Sequence, residues 1–292
     1  MLAELFAVMA PVFFGAGLGF FWIRLGYDYP VEFVTKLVFN IGTPALILAA
    51  LGNAEIDARS FGQTLLGALM VMGIMAVASL LMAKVLGKSW KVIISPMMYP
   101  NTGNMGLPVT LYAFGNAGFA HAITVMVSVS LLQFTFGAML ASRGGHPLRT
   151  LLRTPTIYAI LIALGLLLTD PSLPRWAANT VDLISGFCVP LMLITLGVSL
   201  ASIQVKSLTS GLGFSLLRIP AAALIAFGVA QLLDLPPLAQ SVLILQMSMP
   251  VAVYNYLFAQ RAGREPEYVA GLVFCSTLLS FIYLPVLLAI MM

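Results

Sequence analysis

Apolar residues in this chain run in long blocks, and the charged residues gather in the short gaps between them. A helix of about 20 apolar residues crosses the hydrocarbon core of a bilayer. On that measure the pattern predicts spans over 2–23, 32–51, 61–83, 91–112 and 117–140, then over 154–169, 179–201, 208–232, 238–259 and 268–290. The sixth is short and has room to extend into the Pro171/Pro174 loop. Residues 2–23 exceed the apolar stretch of a secretory signal, about 7–15 residues, and carry Glu4 where a basic leader belongs. They read as a first span, so the expected fold class is an all-α polytopic membrane protein with ten transmembrane helices.

The fourth block is interrupted. Pro100-Asn101-Thr102-Gly103-Asn104-Met105-Gly106-Leu107-Pro108 places two prolines, two glycines and two asparagines inside a membrane-length segment. A proline lacks an N–H and clashes with the preceding turn. In hydrocarbon the freed backbone groups are costly, so such a break survives only where protein or a watery cavity satisfies them. Broken helices near the midplane are also how many carriers build a substrate site.

The two halves of the chain echo each other. Pro44, in Gly42-Thr43-Pro44-Ala45, has a counterpart at Pro190, in Cys188-Val189-Pro190-Leu191. These prolines are 146 residues apart, half of the 292-residue length. The break at Pro100 is matched in the ninth block by Gln246-Met247-Ser248-Met249-Pro250, 150 residues on. Five spans per half is an odd number, so the second half starts on the opposite side and the repeats are inverted. The expected organisation is a first repeat over 1–140, a short cytoplasmic linker over 141–153 and an inverted second repeat over 154–292. Paired interruptions at matching positions of two halves point to a binding site between them.

Composition agrees with this picture. Hydrophobic residues make up 61% and charged residues 8%, where a soluble domain has about 25% charged. Mean hydropathy is +1.03. The net charge of +4 is spread singly between apolar runs and does not form a phosphate-binding surface, so no nucleic-acid partner is expected. With the N-terminus outside, the cytoplasmic gaps and span ends hold Arg24, Lys36, Lys84, Lys88, Lys91, Arg143, Arg149, Arg153, Lys206, Arg261 and Arg264, against only Arg59 and Arg175 outside. That positive-inside bias puts both termini outside, and a bacterial inner (plasma) membrane is the expected location. Cys188 and Cys275 lie within apolar blocks and read as packing residues. Walker, dinucleotide and zinc motifs are absent, so no cofactor, metal or ATP hydrolysis is expected.

Asn101, Thr102 and Asn104 are good helix caps, and in a membrane cavity they are also candidate substrate contacts. The N-termini of the two half-helices would add partial positive charge suited to a carboxylate. Gln246, Ser248 and Asn255 are the ninth-block equivalents. Arg218 falls about 11 residues into the eighth span, roughly 16 Å deep at 1.5 Å per residue. It reads either as a counter-charge for an anion or as a side chain satisfied by a carbonyl or by Asp182. His121 and Asp182 are candidates for a proton relay, and Gln133 either lines the site or bonds a neighbouring helix. Spans three, four, five, eight and nine contain no Asp or Glu, which leaves the coupling ion, H+ or Na+, unspecified.

At these residues the chain resembles the auxin efflux carrier family. The pattern P-N-T-x-x-M-G-x-P is present at Pro100, Asn101, Thr102, Met105, Gly106 and Pro108, and a second motif at Gln246, Pro250, Phe258 and Ala259. The resemblance spans nearly the whole chain. It implies a ten-helix fold in which broken helices 4 and 9 cross inside a moving domain of helices 3–5 and 8–10. Helices 1, 2, 6 and 7 would be the scaffold. It further implies that asparagines at the crossover contact an organic anion, commonly a carboxylate. Two departures stand out: Asn255 replaces a proline of plant members, and the linker is short where theirs is long. The expected function is secondary transport of a small organic anion by alternating access, with an elevator-like motion of the crossover domain and no enzymatic activity. A homodimer through the scaffold helices is a further expectation. An anion channel or membrane sensor is the alternative; an intramembrane hydrolase built on His121 with Ser128 or Ser130 lacks a nucleophile-elbow context.

Overall fold

The computed structural model describes residues 2–52, 58–141, 155–169, 173–203 and 208–291. Glu55, Asp57, Arg143, Arg149, Arg153, Asp170, Pro171, Lys206 and residues 142–153 of the expected linker lie outside the described residues. Among the described residues, all elements are helical. They are α1 (Leu2–Arg24), α2 (Val31–Leu37, continuing after a π turn as Thr43–Gly52), α3 (Ala58–Leu86), α4 (Trp90–Met98), α5 (Leu107–Leu132, running on to Ala141) and α6 (Pro155–Thr169). Then come α7 (Arg175–Ser185 and Cys188–Ser202), α8 (Leu208–Leu232), α9 (Pro237–Met247), α10 (Tyr254–Ala262) and α11 (Pro266–Met291).

Among the described residues, seven helical runs are each long and apolar enough to cross a membrane alone. They are α1, α2, α3, the α5 run from Thr102 to Gly137, α7, α8 and α11. The outer surfaces fit lipid: Phe14, Leu18 and Phe21 on α1, Val77 and Leu81 on α3, and Ile282 and Ile290 on α11 are all exposed. Meanwhile Thr64, Ser79, Ser215, Thr277 and Ser280 are buried. Polar groups inside and large apolar groups outside is the arrangement expected of a multi-pass chain in lipid, where every polar atom must find a partner within the protein.

Proline shapes two of these helices in the same way. A π turn at Val38–Gly42 ends two residues before Pro44, and another at Thr102–Gly106 ends two residues before Pro108. Each proline removes the donor for the carbonyl four residues earlier, Asn40 or Asn104, and its ring crowds that carbonyl. Widening the turn to i→i+5 bonds, Thr43 N–H to Val38 O and Leu107 N–H to Thr102 O, relieves the crowding without ending the helix. Gly115, at φ 62°, makes a second break within α5. That value is unstrained only for glycine, so the residues before it form a short half-helix, and the expected boundary between the fourth and fifth blocks falls there.

Packing gathers the helices into two groups. α1 lies along the Cys188–Ser202 part of α7, and α2 packs on α6 and on the start of α7. Contact between α1 and α7 is backbone to backbone: a Cβ on Gly19 would overlap the Ile194 carbonyl, and one on Gly197 would overlap that of Ala16. Small residues at such crossings let membrane helices approach closely enough for dispersion to hold them. The second group centres on Met72, Ile93, Met97, Phe214, Leu243 and Leu272, from α3, α4, α8, α9 and α11. Gly197→Leu is expected to push α1 off α7 and abolish a monodisperse peak in detergent size-exclusion chromatography. Gly213→Leu, at a position with open space around its Cβ, serves as the tolerated control.

Candidate functional site

The interruptions after α4 and α9 meet each other. Pro100 and Val251 form an antiparallel bridge, with Asn101 N–H donating to Pro250 O at 2.7 Å and Ala252 N–H donating to Tyr99 O at 3.1 Å. The two extended stretches thus satisfy part of the backbone that each proline left open.

Side chains from other helices satisfy more of it. Pro100 cannot donate to Pro96 O, and Arg218 of α8 does so instead, through Nε at 2.9 Å. Its Nη1 donates to Met249 O at 2.8 Å, one residue before Pro250. Arg218 therefore binds both broken helices at once. It is fully buried, and its Nη2 has no partner among the described residues. Asp182 is exposed on the first part of α7, and Arg218 bonds carbonyls instead. Ser276 of α11 accepts from Val251 N–H at 3.0 Å, and the Tyr283 hydroxyl donates to Ser248 O. Asn255 Nδ2 donates to Tyr99 O at 3.0 Å and to Ala252 O at 2.9 Å. An asparagine here staples the crossover, a bond that proline at the same position could not make.

Beside the bridge lies a cavity of about 70 Å³. Pro100, Asn101, Thr102, Gly103 and Asn104 form one wall, and Ala252, Val253 and Tyr254 another. The N-terminal ends of the half-helices that follow both breaks therefore border it, the ends that carry partial positive charge. Gln133 and Ser130 close it from α5, Thr35 and Phe39 from α2, and Thr195 and Ser199 from α7. No Asp, Glu, Lys, Arg or His is among the lining residues. Asn101 and Gln133 are each 5% exposed, and the Nδ2 of one and the Nε2 of the other have no hydrogen-bond partner. Buried amide donors normally find acceptors; among the described residues Arg218 Nη2, Gln246 Oε1, Ser248 Oγ and Asn255 Oδ1 are also without a partner, but on residues that do not line this cavity.

Of the residues singled out in the sequence, Asn101, Thr102 and Asn104 line this cavity and Gln246, Ser248, Asn255 and Arg218 do not. Gln246 is fully buried, donates through Nε2 to Thr110 Oγ1 at 3.0 Å, and packs where a side chain on Gly106 would stand. Ser248 is buried, with Oγ unpartnered. His121 of α5 has its Nδ1 2.9 Å from Thr64 Oγ1 of α3, and it does not line the cavity. Pro44 and Pro190 belong to helices whose breaks abut, since Gly42 is pressed against Cys188 and Phe187. Sequence reasoning missed Thr195 and Ser199. Their i, i+4 spacing after Pro190 put them on one face of α7, and Thr195 Oγ1 shares a 2.8 Å hydrogen bond with Tyr29.

Comparison with known proteins adds to this geometry. A family model described as membrane transport protein matches residues 145–288. An uncharacterized transporter of Methanothermobacter thermautotrophicus is 30% identical over 268 residues, covering 86% of each chain. An uncharacterized transporter of Methanocaldococcus jannaschii is 25% identical over 194 residues, covering 63% of each.

The brace at the crossover makes a stability prediction. Arg218→Gln orphans a buried carbonyl, at about 1–3 kcal/mol for each group left unsatisfied. Thermal unfolding in detergent without ligand should show a lowered Tm, with Arg218→Lys between the two because a point donor cannot span both carbonyls. An unchanged Tm for Arg218→Gln contradicts the bracing role.

Proposed function

The chain belongs to the membrane transport protein family, the auxin-efflux-carrier-like group, and from that premise we propose that it is a secondary carrier of a small organic anion. Its substrate is a carboxylate held in the cavity beside the crossover. The observation that carries this reading is the pair of buried amide donors without a partner among the described residues, Asn101 Nδ2 and Gln133 Nε2, on residues that line a cavity bordered by two half-helix N-termini. Two N–H donors and two positive helix ends complement an anion. The space fits a small molecule: at about 10–15 Å³ per water, roughly five waters fill it.

Several features support alternating access. We take the ten helical segments as two inverted repeats, and their contacts correspond when the halves are exchanged. α1 pairs with the later part of α7 as α6 pairs with α2, and α3 contacts α4 and α5 as α8 contacts α9 and α11. The cavity lies between α2 and α7 on one side and the crossover on the other. An elevator-like displacement of α3–α5 and α8–α11 against α1, α2, α6 and α7 would carry it across the membrane. With the positive-inside orientation, the starting residues of α2 and the later residues of α7 that line the cavity are at the cytoplasmic end, which supports reading the cavity as an inward-facing site.

Asn101→Ala and Gln133→Leu are each expected to weaken carboxylate binding at least tenfold, since a hydrogen bond to a charged group contributes about 1.5–3 kcal/mol. Ligand-free Tm should hold or rise, because each change removes a buried donor with no partner. A thermal-shift titration with a panel of mono- and dicarboxylates measures both quantities. Carboxylate affinity that is unchanged in both variants contradicts the site.

A further inference from the structure

We propose that Phe39 and Tyr254 form a rigid aromatic wall that sets the upper size of the transported anion. This rests on the carboxylate reading of the cavity and assigns what selects among carboxylates. Both rings line the cavity that holds the free amides of Asn101 and Gln133. They meet edge to face, with centroids 5.4 Å apart and planes at 86°. A carboxylate engaged by the two amides leaves its carbon skeleton among apolar side chains, and the rings are the least yielding of these. Met126 and Met192 also line the space, but a methionine has three rotatable bonds and adapts to what it meets.

Each ring sits at a helix break. Tyr254 opens α10 and is backed by Phe258 one turn later, with ring centroids 6.4 Å apart and Phe258 buried. Phe39 lies in the π turn that Pro44 imposes on α2, and Gly42 of that turn is wedged against Cys188 and Phe187. Both residues are half-buried, and each ring packs against another, Phe39 on Tyr254 and Tyr254 on Phe258. An edge-to-face pair also resists separation beyond its buried area. Longer acids therefore meet a fixed boundary.

The test is uptake and competition in proteoliposomes with unbranched monocarboxylates of two to eight carbons. Wild type is expected to lose affinity as the acid lengthens toward the aromatic pair, with a definite upper limit within the series. Phe39→Ala and Tyr254→Ala should each move the limit up by two carbons or more and change the affinity of the smallest acids less than tenfold. Tyr254→Phe, which keeps the ring, should leave the limit in place, and Phe39→Trp should lower it. Monodisperse elution qualifies each variant, and Phe39→Leu replaces Phe39→Ala if the latter does not fold. Retained uptake of small acids with an unmoved limit in both ring-deleted variants overturns the size selection alone. Failure of wild type to bind any acid overturns the carboxylate reading and this inference with it.

Discussion

Backbone hydrogen bonding inside hydrocarbon is the constraint from which the rest of this structure follows. Pro100 and Pro250 interrupt membrane-length helices where no water is at hand to satisfy the freed carbonyls and amides. The chain answers with a bridge between the two breaks and with donors drawn from elsewhere: Arg218 on Pro96 O and Met249 O, Asn255 on Tyr99 O, and Tyr283 on Ser248 O. These bonds tie α8, α10 and α11 to the crossover. A charged residue deep in a membrane is expensive, and here its guanidinium supplies two donors to carbonyls that prolines and helix ends leave open.

Against that well-satisfied frame, the unsatisfied groups become informative. Several carbonyls of the crossover have side-chain donors, while among the described residues Asn101 Nδ2 and Gln133 Nε2 have no partner. Both line a cavity that also receives the positive ends of two half-helices and has no charged side chain among the described residues that line it. Arg218 and Asn255 donate to backbone carbonyls of the break, whereas Asn101 lines the cavity beside it.

Much of the fold was legible in the chain because a bilayer leaves few choices. Long apolar blocks must be helices, and the breaks at Pro100 and Pro250 announced themselves through residues that no continuous helix accepts. Asn101, Thr102 and Asn104 could be placed at the cavity because they fall on the break itself. The roles of Arg218, Gln246 and Asn255 were not legible, since depth and polarity say nothing of which carbonyl lies within reach. The π turns were missed for a different reason. Pro44 and Pro108 could each end, kink or widen a helix, and only packing, such as Gly42 against Cys188, decides among these outcomes. Thr195, Ser199 and Phe39 come to the site from helices far away in sequence, which no local pattern records.

The central claim is that the crossover cavity holds an organic anion through Asn101 and Gln133. The most direct measurement is a cryo-EM structure of the protein saturated with whichever short-chain carboxylate gives the largest thermal shift. The account predicts ligand density between the side-chain amides of Asn101 and Gln133, with the carboxylate toward them and the carbon skeleton toward Phe39 and Tyr254. Density for the acid at another location, with the crossover cavity unchanged, would contradict it.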